Sequence, residues 1–278
     1  MKYMFAHNEE KIAQEWKKYQ GYTIRPLPST LAYYGEIIAG HCSQTQFMLY
    51  GGTPEIRSIF QKVRYKLTLV DRSKAMVRAM GLLTEAQTPI ASNERFLQRD
   101  WLKLDSLAEE FDVLIGDDAI NMVSWPQFEL FLQQAWRRLR LGGLFLCHLL
   151  VKPREDFIRK KLPELEDEFR RGSIKSSYDL ASRLNFLCWD EKSYAMGWQQ
   201  TIKRLGKEKL ARFKPELDFV ETFGLCNSQF SCPPSQLFEQ LLERYFTVRE
   251  VFFPHEHEYC LFEPLYILEK RMIQEKVR

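Results

Sequence analysis

The apolar positions of this chain fall into short runs separated by polar stretches with helical spacing. Gln46–Tyr50 is the first run and reads as a strand, and Pro54–Gln61 then has a helical pattern. Lys66–Val70 is the second strand, and Ser73–Leu83 a helix that Ser73 can cap. Arg95–Gln98 and Phe111–Ile115 are the third and fourth strands, ending at Asp100-Trp101 and at "GDD". Pro126–Leu141 is amphipathic and closed by Gly142-Gly143, and Leu144–Val151 is apolar enough to be a central strand of a parallel sheet. Residues 6–20 and 28–40 predict two leading helices, the second capped by Ser29 or Thr30. Strand–helix alternation of this kind predicts a doubly wound α/β sheet.

From Lys152 to about Arg244 the pattern turns helical and polar, then returns to strand in "FTVREVFFP" and "YCLFEPLYILEK". With no helix between them, those two runs predict an antiparallel pair at the sheet edge. The organisation expected is a helical cap over 1–45, a cofactor-binding core over 46–151, a helical lid or substrate insertion over 152–244, and a closing strand pair over 245–278.

The chemistry concentrates in "QFMLYGGTPEIRSIF". A strand ends in Gly51 and Gly52, a helix opens at Thr53-Pro54, and the second strand ends in Asp71, 20 residues past Gly51. Glycines let a backbone approach a nucleotide closely, and a carboxylate at the second strand's tip can accept two hydrogen bonds from a ribose diol. Pro54 suits the first helical position, and Glu55 lies in the first turn, where the helix dipole favours an anion. Glu55 also argues against a pyrophosphate there, and the later glycines of G-x-G-x-x-G would fall on Thr53 and Ile56. A cofactor with a cationic end and no phosphate suits the turn, which is the description of S-adenosylmethionine.

These motifs resemble the class I S-adenosylmethionine-dependent methyltransferases, well over about Thr30–Val151 and moderately over Phe246–Lys270. The resemblance implies a Rossmann-like, seven-stranded, mostly parallel sheet with an antiparallel last strand, and a helical lid insertion. It places the methionine part of the cofactor at Gly51, Gly52, Thr53 and Pro54, and the ribose on Asp71. It places Arg72, Ser73 and Met76 at the adenine border and Asp100 toward the adenine amino group, with Trp101 stacking beside it. Gly116, Asp117 and Asp118 open the site toward the substrate. The turn departs from the usual three spaced glycines, and no "NPPY" motif stands at "GDDAINMV", which counts against a DNA base as acceptor.

A carboxylate at Asp117 or Asp118 is the expected general base or orienting group, helped by Asn121, although Asp117 serves equally well as a cofactor ligand. His148, in mid-strand, reads as a packing residue. Tyr33 and Tyr34 cover the cofactor or pack on the sheet. Trp189, Tyr194 and Trp198, with Phe186 and Phe223, offer an apolar wall for a hydrophobic small molecule, or form the lid's own core.

Composition changes this picture little. The 278 residues are 45% hydrophobic and 28% charged with a net charge of +3, which is too small to call for nucleic acid. No apolar run reaches a membrane span of roughly 18 residues. Without a signal-like leader the expectation is a cytoplasmic enzyme with reduced cysteines acting on a small molecule. Cys226 and Cys232 with His255 and His257 make weak metal-ligand spacing, so no metal is expected. Tyr266 and Lys270 match the Tyr-x-x-x-Lys pair of a nicotinamide-dependent reductase, but on a strand that spacing separates them by about 13 Å. A non-catalytic scaffold or sensor on the same fold is the other alternative, against which the Gly51–Asp71 pair speaks.

Overall fold

The computed structural model describes residues 9–18, 25–210 and 229–272. Phe223 and Cys226 lie outside them. Seven strands form one sheet. They are β1 (Phe47–Tyr50), β2 (Leu67–Asp71), β3 (Glu94–Gln98), β4 (Phe111–Asp117), β5 (Leu139–His148), β8 (Phe246–Phe252) and β9 (Leu265–Lys270), while β6 (Ala195–Met196) and β7 (Phe230–Ser231) pair in the insertion. The spatial order is β3-β2-β1-β4-β5-β9-β8. Strands β1 to β5 run parallel, and β9 is antiparallel to both β5 and β8. The expected doubly wound, mostly parallel sheet with an antiparallel last strand is therefore present. That last strand lies inside the edge, with β8 outermost.

Alternation along each strand divides the core into two layers. Phe47 and Leu49 face α2 (Pro28–Ala39), α3 (Pro54–Val63) and α4 (Lys74–Gly81), packing with Tyr34, Ile38, Ile56, Phe60 and Val77. Met48 and Tyr50 face α5 (Phe128–Arg138) and the helix Ser235–Leu242, packing with Phe131, Ala135 and Phe238. A third cluster joins α1 (Glu9–Lys18), α4 and the insertion helix Ser177–Leu187 through Ile12, Met80, Leu184 and Trp198.

Two local expectations are corrected, for the start of α2 and for the end of α5. Helix α2 starts at Pro28 with Leu27 as cap residue and no side-chain cap; Ser29 instead bonds Glu256. Thr53 is the cap residue of α3, yet its hydroxyl turns to Asp117 rather than to the helix amides. Helix α5 stops at Arg138, and β5 already begins at Leu139 and runs through Gly142 and Gly143. A side chain at Gly143 would sit 2.9 Å from the carbonyl oxygens of Arg140 and Asp112, so the strand can pass there only as glycine.

One buried ion pair locks the helical layer onto β3. Arg57 of α3 meets Glu94 through two parallel bonds of 2.9 and 2.6 Å, with both side chains wholly buried. The remaining guanidinium donors reach the carbonyls of Val77 and Pro89. Glu94→Gln leaves a buried guanidinium without its counter-charge, and we expect it to lower unfolding free energy by about 3–5 kcal/mol. A denaturant titration checks this; an unchanged midpoint would show that the pair is replaceable.

Candidate functional site

The register brings the carboxyl ends of four strands to one edge. Tyr50 lies opposite Val70 on one side and Gly116 on the other, and Asp117 lies opposite His148. The chain turns at Gly51 with φ +86°, a left-handed value that glycine takes without strain. A β-carbon there would lie 3.8 Å from both Asp71 Oδ2 and Trp101 Cζ2, so Gly51, Asp71 and Trp101 face a shared space. Asp71 Oδ1 accepts the Ser73 amide at 2.6 Å, leaving Oδ2 on the open side. Burial raises the Asp71 carboxyl above its ordinary range, against the Ser73 amide and the Arg72 charge.

The neighbouring residues hold these groups in place. Trp101 donates its indole N–H to the Val70 carbonyl at 2.7 Å and meets Tyr50 edge-on at 6.0 Å. Asp100 Oδ1 accepts the Leu102 amide, and its other oxygen lies 3.9 Å from the largely exposed Arg72. Ser73 caps α4 by accepting the Met76 amide at 3.2 Å. Gly52 backs onto Val77 and Gly116 onto the Phe145 ring, so both admit close packing behind the cleft. This cradle suits a nucleoside with a free diol, since it offers a carboxylate acceptor, an aromatic neighbour and a glycine opening.

Beyond the cradle is a buried polar cluster. Asp117 receives Thr53 Oγ1 and the Tyr34 hydroxyl, each at 3.5 Å, and His148 Nδ1 lies 3.1 Å from Asp117 and 3.5 Å from Asp118. Asp118 sits at φ +54° in the turn closed by its amide on the His148 carbonyl. Burial pushes the Asp118 carboxyl up to about 7, with His148 opposing and Asp117 adding, although a quarter of its side chain reaches the surface. Burial disfavours the charged His148 ring, but Asp118, Asp117 and Glu263 outweigh it and lift the imidazole to about 9. Burial drives Glu263 up to about 8. Tyr34, fully buried, titrates well above its usual range for the same reason and because of the two aspartates.

Reading the sequence missed the roles of His148 and Glu263. Glu263 arrives because Leu149 and Val151 accept the returning chain, donating their amides to the Pro264 and Phe262 carbonyls. The signal was a glutamate inside the apolar run "CLFEPLYIL".

Other expected residues lie elsewhere or are committed. The Asn121 amide nitrogen donates to the Leu150 and Ser231 carbonyls at 2.7 and 2.6 Å, and its oxygen accepts the Leu150 amide. Asn121 thus braces the insertion against the core. Tyr33 stacks on Phe252 at 4.5 Å, over the β8 edge. Trp189 donates to the Cys232 carbonyl and stacks on Tyr194, and Trp198 joins the cluster with α1 and α4; all three serve the insertion's packing. The insertion meets the core at residues that follow β4, as in the Asn121 side chain's bond to the Ser231 carbonyl. His257, Cys260 and Glu263 bring donor atoms of metal-ligand type within 4.8 Å of one another, a grouping that differs from the Cys226–Cys232 pairing considered from the sequence. Tyr266 donates to Glu239, while Lys270 reaches the Leu139 carbonyl, so no Tyr–Lys pair forms.

The proton balance sets a pH dependence. The native state holds the His148 proton to about 9 rather than 6.5, a stabilisation fully present below 6.5 and lost as pH rises through 9. Asp118 and Glu263, raised to about 7 and 8 from 3.8 and 4.5, likewise favour the native state at the acid end and lose that advantage as they ionise. Unfolding free energy should therefore fall between pH 7 and 9, where His148 and Glu263 hold the extra native protons, by on the order of 1.4 kcal/mol per pH unit for each of them. Urea titrations across that range check it, and a rise would contradict it.

Comparison with known proteins accords with this geometry. Residues 51–143 match the family described as a methyltransferase domain. No curated protein matches the chain by sequence. Among solved structures, the CcbJ methyltransferase from Streptomyces caelestis aligns with a TM-score of 0.61 at 12% identity, over 96% of this chain and 100% of its own. A Rhodobacter sphaeroides chain described as a Zn-dependent alcohol dehydrogenase aligns with a TM-score of 0.59 at 14% identity, over 95% and 99%. The 1,6-didemethyltoxoflavin-N1-methyltransferase of Burkholderia thailandensis, with S-adenosylhomocysteine bound, aligns with a TM-score of 0.50 at 11% identity, over 86% and 77%. At such identities the structural likenesses establish the fold, and the family match lies on the strands and turns that build the cradle.

Proposed function

We propose that this S-adenosylmethionine-dependent methyltransferase transfers a methyl group to an oxygen or nitrogen of a small metabolite. The observation that carries the reading is the convergence of Gly51, Asp71 and Trp101 on one opening beside the Asp117–Asp118 turn. Gly51–Pro54, Asp71, Arg72, Ser73, Met76, Asp100, Trp101, Gly116 and Asp117 form the cofactor side. When bound, S-adenosylmethionine supplies a methyl group already activated by its sulfonium. The chain's own part is to hold both partners in line, exclude water and manage the acceptor's proton.

Asp118 is the proton-handling group in this reading. Its carboxyl, raised to about 7, can exchange a proton near neutral pH, and it reaches both His148 and the surface. Asp117, held by Tyr34, Thr53 and His148, is better placed to orient. A small acceptor is supported by the closed, buried setting of the cluster, and the toxoflavin-type neighbour is named for such a substrate. Among the described residues no helix is long and apolar enough to cross a membrane. The segment 152–244 is read as a lid at the carboxyl edge, where open α/β sheets bind ligands.

Calorimetry with S-adenosylhomocysteine tests the cradle. Asp71→Ala should weaken binding by about 2–3 kcal/mol, through loss of hydrogen bonds to a charged acceptor. Equal affinity in the two proteins would remove Asp71 from the site. Asp118→Asn should lower turnover about 10²–10⁴-fold with cofactor affinity nearly intact. Wild-type rates in Asp118→Asn, together with loss of activity in chelator, would point to a metal-assisted reaction instead.

A further inference from the structure

The start of α3 carries an ion pair that the cradle described above does not use. Arg25 stands three residues ahead of α2 and reaches Glu55 in the first turn of α3, with Nη1 3.5 Å from Oε1. Its Nη2 donates to the Trp16 carbonyl of α1 at 3.0 Å. The pair is therefore held between α1 and α3, at the entry to α2. It is also incomplete. A separation of 3.5 Å exceeds an ordinary N–H···O bond. Arg25 Nε and Glu55 Oε2 are both buried, and neither has a hydrogen-bond partner. One cationic donor and one anionic acceptor thus stand open in the same pair.

Placement ties the pair to the cleft. Glu55 lies two residues beyond Thr53, whose hydroxyl reaches Asp117, and four beyond the left-handed turn at Gly51. Helix α2, which follows Arg25, sends the Tyr34 hydroxyl to the same Asp117. The segments that carry Arg25 and Glu55 thus flank the carboxyl ends of β1 and β4, which lie side by side. A ligand carboxylate brought to this turn meets Asp71 and Asp117, and a cation is needed to offset them.

The amino-acid end of S-adenosylmethionine carries a carboxylate and an ammonium on one carbon. An open guanidinium N–H matches the first, and an open carboxylate oxygen matches the second. A guanidinium keeps its charge at any working pH. Burial raises the Glu55 carboxyl above its ordinary range, opposed by its own amide and by Arg25, and an ammonium beside it favours the ionised form further. We infer that Arg25 and Glu55 together bind the amino-acid end of the cofactor, Arg25 its carboxylate and Glu55 its ammonium. This rests on the cofactor reading given above. Arg25 lies outside residues 51–143, the stretch that matches the methyltransferase domain. A pair that only clasps the leading helices to α3 would not distinguish ligands with that end from ligands without it.

Calorimetry on the full-length protein with S-adenosylhomocysteine and 5′-methylthioadenosine separates the two roles. The second ligand keeps the nucleoside and the thioether and lacks the amino-acid end. The wild type should bind S-adenosylhomocysteine at least about tenfold more tightly. Arg25→Gln should weaken S-adenosylhomocysteine about 10–100-fold and leave 5′-methylthioadenosine unchanged, and that retained binding shows that the variant is folded. Glu55→Gln should weaken S-adenosylhomocysteine about tenfold, again without effect on the shorter ligand. Unchanged S-adenosylhomocysteine affinity in both variants overturns the inference. Parallel loss of the two ligands in both variants overturns it too, in favour of a clasp. A wild type that binds the two ligands equally keeps the cofactor reading and removes Arg25 and Glu55 from it. A wild type that binds neither sinks the cofactor reading and the inference with it.

Discussion

Strand β1 is paired in parallel on both sides, and most of what is chemically interesting in this chain follows from that register. With Tyr50 level with Val70 and Gly116, the next residues of three strands emerge together as Gly51, Asp71 and Asp117. Side chains 20 and 66 positions away from Gly51 along the chain meet at one edge for this reason alone. The Arg57–Glu94 pair holds α3, whose first turn carries Thr53 and Pro54, against β3. A slip of one residue in β2 or β4 would turn Asp71 or Asp117 to the opposite face of the sheet.

The second organising effect is burial of charge. Within the apolar shell, burial raises the proton affinity of Asp118 and Glu263, and the neighbouring acids outweigh burial at His148 and raise its affinity too. The fold accepts this cost where β4, β5 and the approach to β9 come together. Arg183, by contrast, is matched, pairing with Asp179 and Glu258.

Much of the fold was readable because its signals are local. Apolar runs of strand length, Pro54 and Ser73 at helix starts, and the Gly51–Asp71 spacing each state their structure within a few residues. The end of α5 was misplaced because Gly142-Gly143 reads as a helix stop, whereas those glycines serve a strand that crosses close to Asp112. His148 reads as a core residue in an apolar strand, and it is buried; only its alignment with Asp117 gives it chemistry. Glu263 is 115 residues further on and is delivered by antiparallel pairing, which no local pattern announces. Asn121 shows the converse, since a polar residue beside a strand tip proves to be a buried brace. The insertion's aromatics could be assigned either to a pocket or to packing from sequence, and they pack on one another and on the core, as Tyr194 does on Trp189 and Trp125 and Phe186 on Tyr259 and Phe262.

The central claim is that one edge of the sheet holds a nucleoside cofactor on Asp71 and Trp101, with its reactive end directed at the Asp117–Asp118 turn. A crystal structure of the protein with S-adenosylhomocysteine examines it most directly. The account predicts both ribose hydroxyls on the Asp71 carboxylate, the adenine against Trp101, and the thioether sulfur on the side of Asp117. Ligand density with the ribose away from Asp71, or with the sulfur turned from the Asp117–Asp118 turn, would contradict it.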